Sequence, residues 1–107
     1  MDLSNKKCIP CEVGGVAFKP EEVVIFSRDL LNWEVLENKK LVRKFKFKDF
    51  KESITFVNKV AEIAEKEGHH PDIGINYNEV NIELTTHAVR GLTENDFILA
   101  SKIEEII

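Results

Sequence analysis

The sequence predicts an α+β domain built in two layers, a four-stranded antiparallel sheet with helices packed on one face. Two observations lead to this prediction. The spacing of hydrophobic residues alternates between helical and strand periods along the chain. It indicates an N-terminal helix followed by elements in the order β-β-α-β-β-α. Each pair of consecutive strands is joined by a short polar turn, which favours hairpins and therefore antiparallel pairing.

Length and composition favour one globular domain. The chain has 107 residues, of which 43% are hydrophobic and 32% charged, and a chain of this size buries a single core. Residues 1–19 have no sustained period and are interpreted as an irregular N-terminal arm, so the domain spans residues 20–107. Because no apolar run approaches the roughly 20 residues of a membrane helix, we expect a soluble cytoplasmic protein without membrane contact.

Cys8-Ile-Pro-Cys11 lies in the arm and has the spacing of half a zinc or redox site. The chain has no other cysteine, so four thiolates would require the arms of two copies. A reduced pair without a metal is the simpler interpretation, and the sequence therefore predicts no metal here.

The first two helices are marked by residues that begin or end them. Pro20 suits the first turn of a helix that is predicted to run to about Asn32. Asp49 caps the second helix, which runs to about Glu67 and ends at Gly68. Its predicted buried stripe consists of Phe50, Ile54, Val57, Ala61 and Ala64, with Val60 beside it.

The last helix begins with Thr93 as its cap and Asp96 at the third position, which together form a capping box. One side of this helix carries Phe97, Ala100, Ile103 and Ile107. Its full apolar surface exceeds what one core face needs. A protein-interaction or dimerisation module on the same fold is therefore an alternative function. The residues that suggest this alternative are Phe97, Leu99, Ile103, Ile106 and Ile107.

The first hairpin pairs residues 33–36 with residues 40–47. Alternation along the second strand places apolar and basic side chains on opposite faces, with Arg43 interrupting the apolar one. The apolar face carries Leu41, Phe45 and Phe47, and the other carries Lys44, Lys46 and Lys48. A net charge of −4 and the lack of stacking aromatics beside these lysines argue against nucleic acid as a partner.

The second hairpin pairs residues 73–77 with residues 80–86. A two-residue loop at Asn78 and Glu79 would make the numbers of paired residues sum to 157, so that apolar side chains face each other. The predicted pairs are Tyr77 with Val80, Ile75 with Ile82, and Ile73 with Leu84.

Continued to the ends of the strands, this register places His70 opposite His87, with their β-carbons roughly 5 Å apart. His69 lies beside His70, and Glu65 lies one helical turn earlier. Imidazole donates or accepts protons near neutral pH, which suits general acid and base catalysis. Zinc binding is the competing interpretation, but adjacent histidines on extended backbone point in divergent directions. The sequence predicts a catalytic site without a metal or cofactor.

The residues of this region also match a known family. They are Glu65, His69, His70, Pro71, Tyr77, Thr86, His87, Gly91, Leu92, Thr93 and Asp96. This pattern resembles the signature of the pterin-4a-carbinolamine dehydratases (4a-hydroxytetrahydrobiopterin dehydratases), and the similarity extends over nearly all of the chain after the arm.

The resemblance implies dehydration of 4a-hydroxytetrahydropterin to quinonoid dihydropterin, the recycling step of the aromatic amino-acid hydroxylase pathway. It implies His69 and His87 as the acid and base pair, without deciding which donates the proton. It assigns pterin binding to His70, Pro71, Glu65 and Thr86. It also implies a site without a metal or cofactor, and a homodimer or homotetramer. Another pterin, such as a molybdopterin-pathway compound, is an alternative substrate.

The chain departs from the family pattern at a few positions. Ile73 and Ile75 stand where many members carry aromatic or polar residues, and Arg90 stands where many carry glycine. These differences concern pterin affinity and contacts between subunits more than the chemistry.

Overall fold

The computed structural model describes residues 3–9 and 16–107, and it confirms the predicted α+β architecture. The strands form one antiparallel sheet in the order β1-β2-β4-β3. The helices are α1 (Pro20–Ser27), α2 (Phe50–Glu67) and α3 (Glu94–Glu105), and short 3-10 helices occur at Leu3–Asn5 and His87–Val89. The strands are β1 (Glu34–Leu36), β2 (Lys40–Lys46), β3 (Asp72–Asn76) and β4 (Glu79–Leu84). Within the described ranges, no helix is both long enough and apolar enough to cross a bilayer.

The two central strands supply the core face of the sheet. Leu41 pairs with Leu84 and Phe45 pairs with Val80 across β2 and β4, and all of these side chains are buried. The opposite face is open, and it carries the exposed lysines that the alternation predicts, Lys44 and Lys46.

Arg43 interrupts the apolar face of β2 as predicted, and α3 explains why the position tolerates a cation. The guanidinium lies 4.4 Å from the centre of the Phe45 ring and forms an ion pair with Glu104. The indole N–H of Trp33 donates to the same Glu104 carboxylate at 3.0 Å. A charge between sheet and helix is stable here because it has both a counter-ion and an aromatic face.

Helix α2 has the predicted ends but a different buried face. Asp49 accepts a hydrogen bond from the Glu52 N–H at 2.9 Å, and Gly68 ends the helix in the left-handed region with φ +66°. Phe50 is 51% exposed, so the predicted stripe is wrong there, and Ala61 is exposed as well. The buried residues are Ser53, Phe56, Val60 and Ala64. Ser53 is compatible with burial because its hydroxyl donates to the Asp49 carbonyl at 3.2 Å.

Helix α1 is shorter than predicted. It ends at Ser27 rather than near Asn32, and two successive turns follow, with Leu30 N–H donating to Ser27 O and Trp33 N–H donating to Leu30 O. These turns direct Leu30 and Trp33 into the core, where each is about 5% exposed or less. Burying these two side chains decides the local conformation.

The capping box of α3 is confirmed, and most of the apolar surface of this helix is buried. Phe97, Leu99 and Ile103 have no exposed surface. The Phe26 ring of α1 lies 5.6 Å from the Phe97 ring, and buried Leu3 joins the same core cluster. The monomer therefore covers most of the surface on which the interaction-module alternative rested.

The register of the second hairpin differs from the prediction by two residues. Ile73 pairs with Ile82, so the paired numbers sum to 155, and the loop consists of Tyr77 and Asn78. A shift of two keeps every side chain on its face, so the hydrophobic pattern could not reveal it. Asn78 is held in the loop because it exchanges hydrogen bonds with the Phe47 backbone. The predicted pairing of His70 with His87 is wrong for this reason.

Candidate active site

His69 is turned into the protein by the end of α2. The left-handed Gly68 reverses the chain, and the His69 N–H donates to the Ala64 carbonyl at 3.3 Å. The imidazole is only 8% exposed, and its Nε2 lies 2.6 Å from Asp96 Oδ1. The helix end thus forms one half of a buried histidine–carboxylate pair.

Asp96 forms the other half, and it has no exposed surface. Its Oδ2 accepts hydrogen bonds from the Thr86 hydroxyl at 2.8 Å and from the Thr93 N–H at 2.9 Å. The hydroxyls of Thr86 and Thr93 also lie 2.8 Å apart. A buried carboxylate needs several donors to offset its desolvation. Asp96 obtains them from the end of α2, the end of β4 and the start of α3.

The sequence analysis interpreted Asp96 as a capping residue and missed its contact with His69. A signal for it was present on β4. Val80, Ile82 and Leu84 are buried, and Thr86 follows them with the same alternation. The sequence pattern therefore indicated that the Thr86 hydroxyl points inward, where a buried acceptor must meet it.

The hydrogen bonds around Asp96 assign the proton of the imidazole. Asp96 Oδ2 accepts from Thr86 and from the Thr93 N–H, and a carboxylate offers only acceptor oxygens, so we assign His69 Nε2, which faces Oδ1, as the nitrogen that carries the hydrogen. In the neutral ring Nδ1 then keeps the lone pair. His69 can accept a proton at Nδ1 while Asp96 stabilises the resulting cation.

His70 has a different carboxylate partner in a different environment. Its Nε2 lies 2.6 Å from Oε2 of Glu65, which is in the last turn of α2. The side chains of His70 and Glu65 are 62% and 77% exposed. Pro71 follows His70 at the start of β3 and is partly buried. Glu65 therefore orients a histidine, and the two adjacent histidines point towards different acids.

His87 is exposed and begins the 3-10 helix that follows β4. Its loop is closed by a pair of backbone hydrogen bonds between Thr86 and Gly91. Gly91 packs so closely on Ala17 that a β-carbon at this position would lie 2.7 Å from the Ala17 β-carbon. His87 is thus carried on a fixed loop, directly after the threonine that contacts Asp96.

Arg90 closes the same loop. Its backbone lies in the left-handed region with φ +55°, a conformation that favours glycine.

The described residues contain no group of three or more histidine, cysteine or acidic side chains arranged to hold a metal ion. Burial, with a further contribution from the Glu67 charge, raises the pKa of the Cys8 thiol from 9.0 to about 12. Cys11, the other half of the Cys8-Ile-Pro-Cys11 pair, lies outside the described residues.

Comparison with known proteins identifies the family. The family described as Pterin 4 alpha carbinolamine dehydratase matches residues 17–106. Two relatives named after this family come from Rubrobacter xylanophilus, 41% identical with 98% of each chain covered, and Rickettsia canadensis, 48% identical with 98% of this chain and 97% of that protein covered.

Solved structures agree as well. The crystal structure of a transcriptional coactivator/pterin dehydratase from Brucella melitensis is 35% identical, with a TM-score of 0.79 over 84% of this chain and 97% of that one. A pterin dehydratase-like RuBisCO assembly factor of the alpha-carboxysome, 23% identical with a TM-score of 0.61 over 70% of this chain and 88% of that one, shares the fold. On the family match and the relatives together, the chain belongs to the pterin-4-alpha-carbinolamine dehydratase family.

Proposed function

We propose that the protein dehydrates 4a-hydroxytetrahydropterin to quinonoid dihydropterin and water. Family membership supports the substrate and the reaction. The observation that carries the proposal for this chain is the buried pair of His69 and Asp96, 2.6 Å apart. A structural histidine needs no buried carboxylate beside it, whereas a histidine that must become a cation during a reaction is stabilised by one.

The reaction requires one proton donor and one acceptor. The C4a–O bond breaks as the hydroxyl is protonated and leaves as water, and N5 loses its proton as the C4a=N5 double bond forms. No electron is transferred to or from an external group, so the proposed reaction needs only an acid and a base.

His69 is the better candidate for the base. Its Nδ1 keeps the lone pair, and the carboxylate of Asp96 stabilises the imidazolium that forms when N5 gives up its proton. His87, on the exposed loop next to Thr86, then protonates the leaving hydroxyl. Each of these transfers contributes roughly 10² to 10⁴ in rate.

The pterin ring is oriented by His70 and Pro71, with Glu65 holding the imidazole of His70. Thr86 is predicted to contact the substrate, but the residue is only 1% exposed, and its hydroxyl is engaged with Asp96 and Thr93. These contacts favour a role in which Thr86 positions Asp96.

The test is an assay with 4a-hydroxytetrahydropterin generated in situ. We expect His69→Ala and His87→Ala each to lower the dehydration rate by about tenfold or more, because each removes one proton-transfer group. Circular dichroism checks that both variants stay folded. Lys44→Ala, on the open face of the sheet, is the matched control and retains the wild-type rate. Near wild-type turnover in both histidine variants would refute the proposal.

We also infer that the protein is a homo-oligomer. A groove of about 420 Å³ between the start of α2 and the end of α3 is lined in part by Phe47, Phe56 and Ile106. Ile107 also lines the groove and is 62% exposed. Phe50, which lies in sequence between the lining residues Asp49 and Lys51, is 51% exposed. An apolar patch of this kind supports contact with a second copy. Light scattering of wild type and Phe50→Lys tests this: the variant should have the smaller mass.

A further inference from the structure

The N-terminal stretch of residues 3–9, here termed the strap, lies across α3 and the end of α2. At one end Leu3 is 5% exposed and belongs to the main core. The Lys102 ammonium donates to the Ser4 carbonyl at 2.9 Å. The strap is therefore packed onto the domain although its sequence has no regular period.

At the other end, consecutive backbone groups of the strap hold two side chains of the domain. The Cys8 N–H donates to Glu67 Oε1 at 2.8 Å. The Ile9 N–H donates to Asn95 Oδ1 at 3.0 Å, and the Asn95 amide donates back to the Ile9 carbonyl at 2.7 Å. Asn95 is 4% exposed, so these two reciprocal bonds form in a largely buried setting.

The two anchored side chains lie next to the two members of the buried pair. Glu67 is two residues before His69 on α2, and Asn95 directly precedes Asp96 on α3. Glu67 remains a carboxylate in this position. Burial acts to raise its pKa, but the Cys8 N–H and the Lys102 ammonium outweigh burial, and the pKa is lowered.

We propose that the strap positions His69 against Asp96, with Glu67 and Asn95 as positioning residues for the dehydration. The inference rests on the proposed function. Its physical basis is that His69 directly follows the cap of α2 whereas Asp96 lies on α3, and the strap is bonded to both of these helices next to the site. A hydrogen bond of 2.6 Å is lost after a displacement of about 1 Å, and a shift of that size can cost on the order of 10²-fold in rate.

The kinetic test compares variants of the anchors with a control on the same strap. Asn95→Ala removes both bonds to Ile9 and should lower kcat about tenfold with little change in KM, because substrate contacts stay in place. Glu67→Ala should do the same, whereas Glu67→Gln keeps an oxygen for the Cys8 N–H and should retain most of the rate. Lys6→Ala breaks only the exposed ion pair with Glu94 and should leave kcat unchanged.

A second readout does not depend on activity. The His69 Nε2–H, hydrogen-bonded to a buried carboxylate, should exchange slowly with water by NMR. Asn95→Ala should accelerate that exchange about tenfold or more, and Lys6→Ala should not. In a Cys11→Ser background, Asn95→Ala should also increase the labelling rate of the Cys8 thiol.

These outcomes separate the two proposals. If wild type does not dehydrate the pterin while Asn95→Ala accelerates His69 exchange, the proposed function fails and the positioning role of the strap stands. If Asn95→Ala and Lys6→Ala have equal kcat and equal exchange rates in folded protein, the strap is only a structural segment and the inference is overturned.

Discussion

The two histidine–carboxylate pairs of this protein have the same length and opposite surroundings. His69 and Asp96 are 2.6 Å apart with 9% and 0% of their side chains exposed, whereas His70 and Glu65 are 2.6 Å apart with 62% and 77% exposed. In the exposed pair, water competes for every hydrogen bond and salt screens the charges, so the pair contributes about 1 kcal/mol at most. In the buried pair, water does not compete for the hydrogen bond and salt does not screen the charges. Removing one partner therefore leaves a buried group unpaired.

Distance alone therefore does not identify the pair that matters for catalysis. The pairs differ instead in the number of hydrogen bonds that each carboxylate accepts. Asp96 accepts from Thr86 and from the Thr93 N–H as well as from His69, so its position is fixed from several directions. Glu65 is fixed by His70 alone among the hydrogen bonds of the described residues. We expect the two pairs to differ by orders of magnitude in their effect on the reaction.

Among changes to the two carboxylates, the largest effect is expected from Asp96→Asn. The substitution keeps the shape of the side chain but places an amide where a carboxylate accepted hydrogen bonds, so the His69 ring loses its fixed tautomer and the partner of its cation. We expect kcat to fall on the order of 10² to 10⁴-fold, measured by the in situ dehydration assay.

Glu65→Gln is the matched control on the exposed pair. It makes the same change from carboxylate to amide, and we expect a loss of about fivefold or less because an exposed ion pair contributes little. Equal losses in Asp96→Asn and Glu65→Gln would show that burial does not distinguish the pairs. Thermal unfolding of each variant checks that it is folded at the assay temperature, so that a lower rate does not reflect a smaller amount of folded protein.

A smaller effect is expected from Thr86→Val, which removes one donor to Asp96 at almost constant volume. The free energy of unfolding should fall by about 1–3 kcal/mol, because the buried carboxylate loses a hydrogen bond that water cannot replace. The neighbouring Thr85 provides the matched control. Its hydroxyl lies 2.6 Å from the Lys39 carbonyl at the surface and 3.3 Å from the Gly91 carbonyl. Water can replace the shorter bond, so Thr85→Val should cost less than about 1 kcal/mol.

Urea unfolding of wild type, Thr86→Val and Thr85→Val measures this difference. Similar costs for the two threonines would mean that the network around Asp96 is no more stabilising than a surface hydrogen bond.

The parts of the fold that follow from local chemistry were predictable from the sequence. Asp49 and Gly68 bound α2 as predicted because a cap and a left-handed glycine act within one turn. The buried face of α2 was missed because Ser53 appears polar in the sequence, although its hydroxyl is satisfied by its own helix. The register of the second hairpin was missed because Asn78 is held by Phe47, a contact between distant segments that no local pattern records.

The site was predictable to a similar extent. The prediction identified the three histidines and a carboxylate near them, and Glu65 does contact one. Only the structure shows that this carboxylate contacts His70, because the directions of the two histidine side chains depend on the left-handed turn at Gly68. The contact between His69 and Asp96 joins residues that are 27 positions apart. It depends on how α3 packs, which the amphipathic period alone does not determine.

The last prediction concerns the strap beside the buried pair, and the quantity it predicts is the free energy of unfolding rather than a reaction rate. Because burial, together with the Glu67 charge, raises the pKa of the Cys8 thiol to about 12, the unfolded chain ionises this thiol at a lower pH than the folded one. The stabilising contribution is fully present below pH 9.0, the thiol's ordinary pKa, and it is lost as the pH rises from there towards 12.

The measurement is the free energy of unfolding in urea at about pH 8 and about pH 10.5, with Cys11→Ser as the background. The decline between the two pH values should be smaller in Cys8→Ser, which has no titrating group at this position, while lysines and tyrosine contribute equally to both proteins. An identical decline would mean that the Cys8 thiol is as accessible to water in the folded protein as in the unfolded chain. The strap would then not cover the end of α2, and the buried pair would lack the support that distinguishes it from the exposed one.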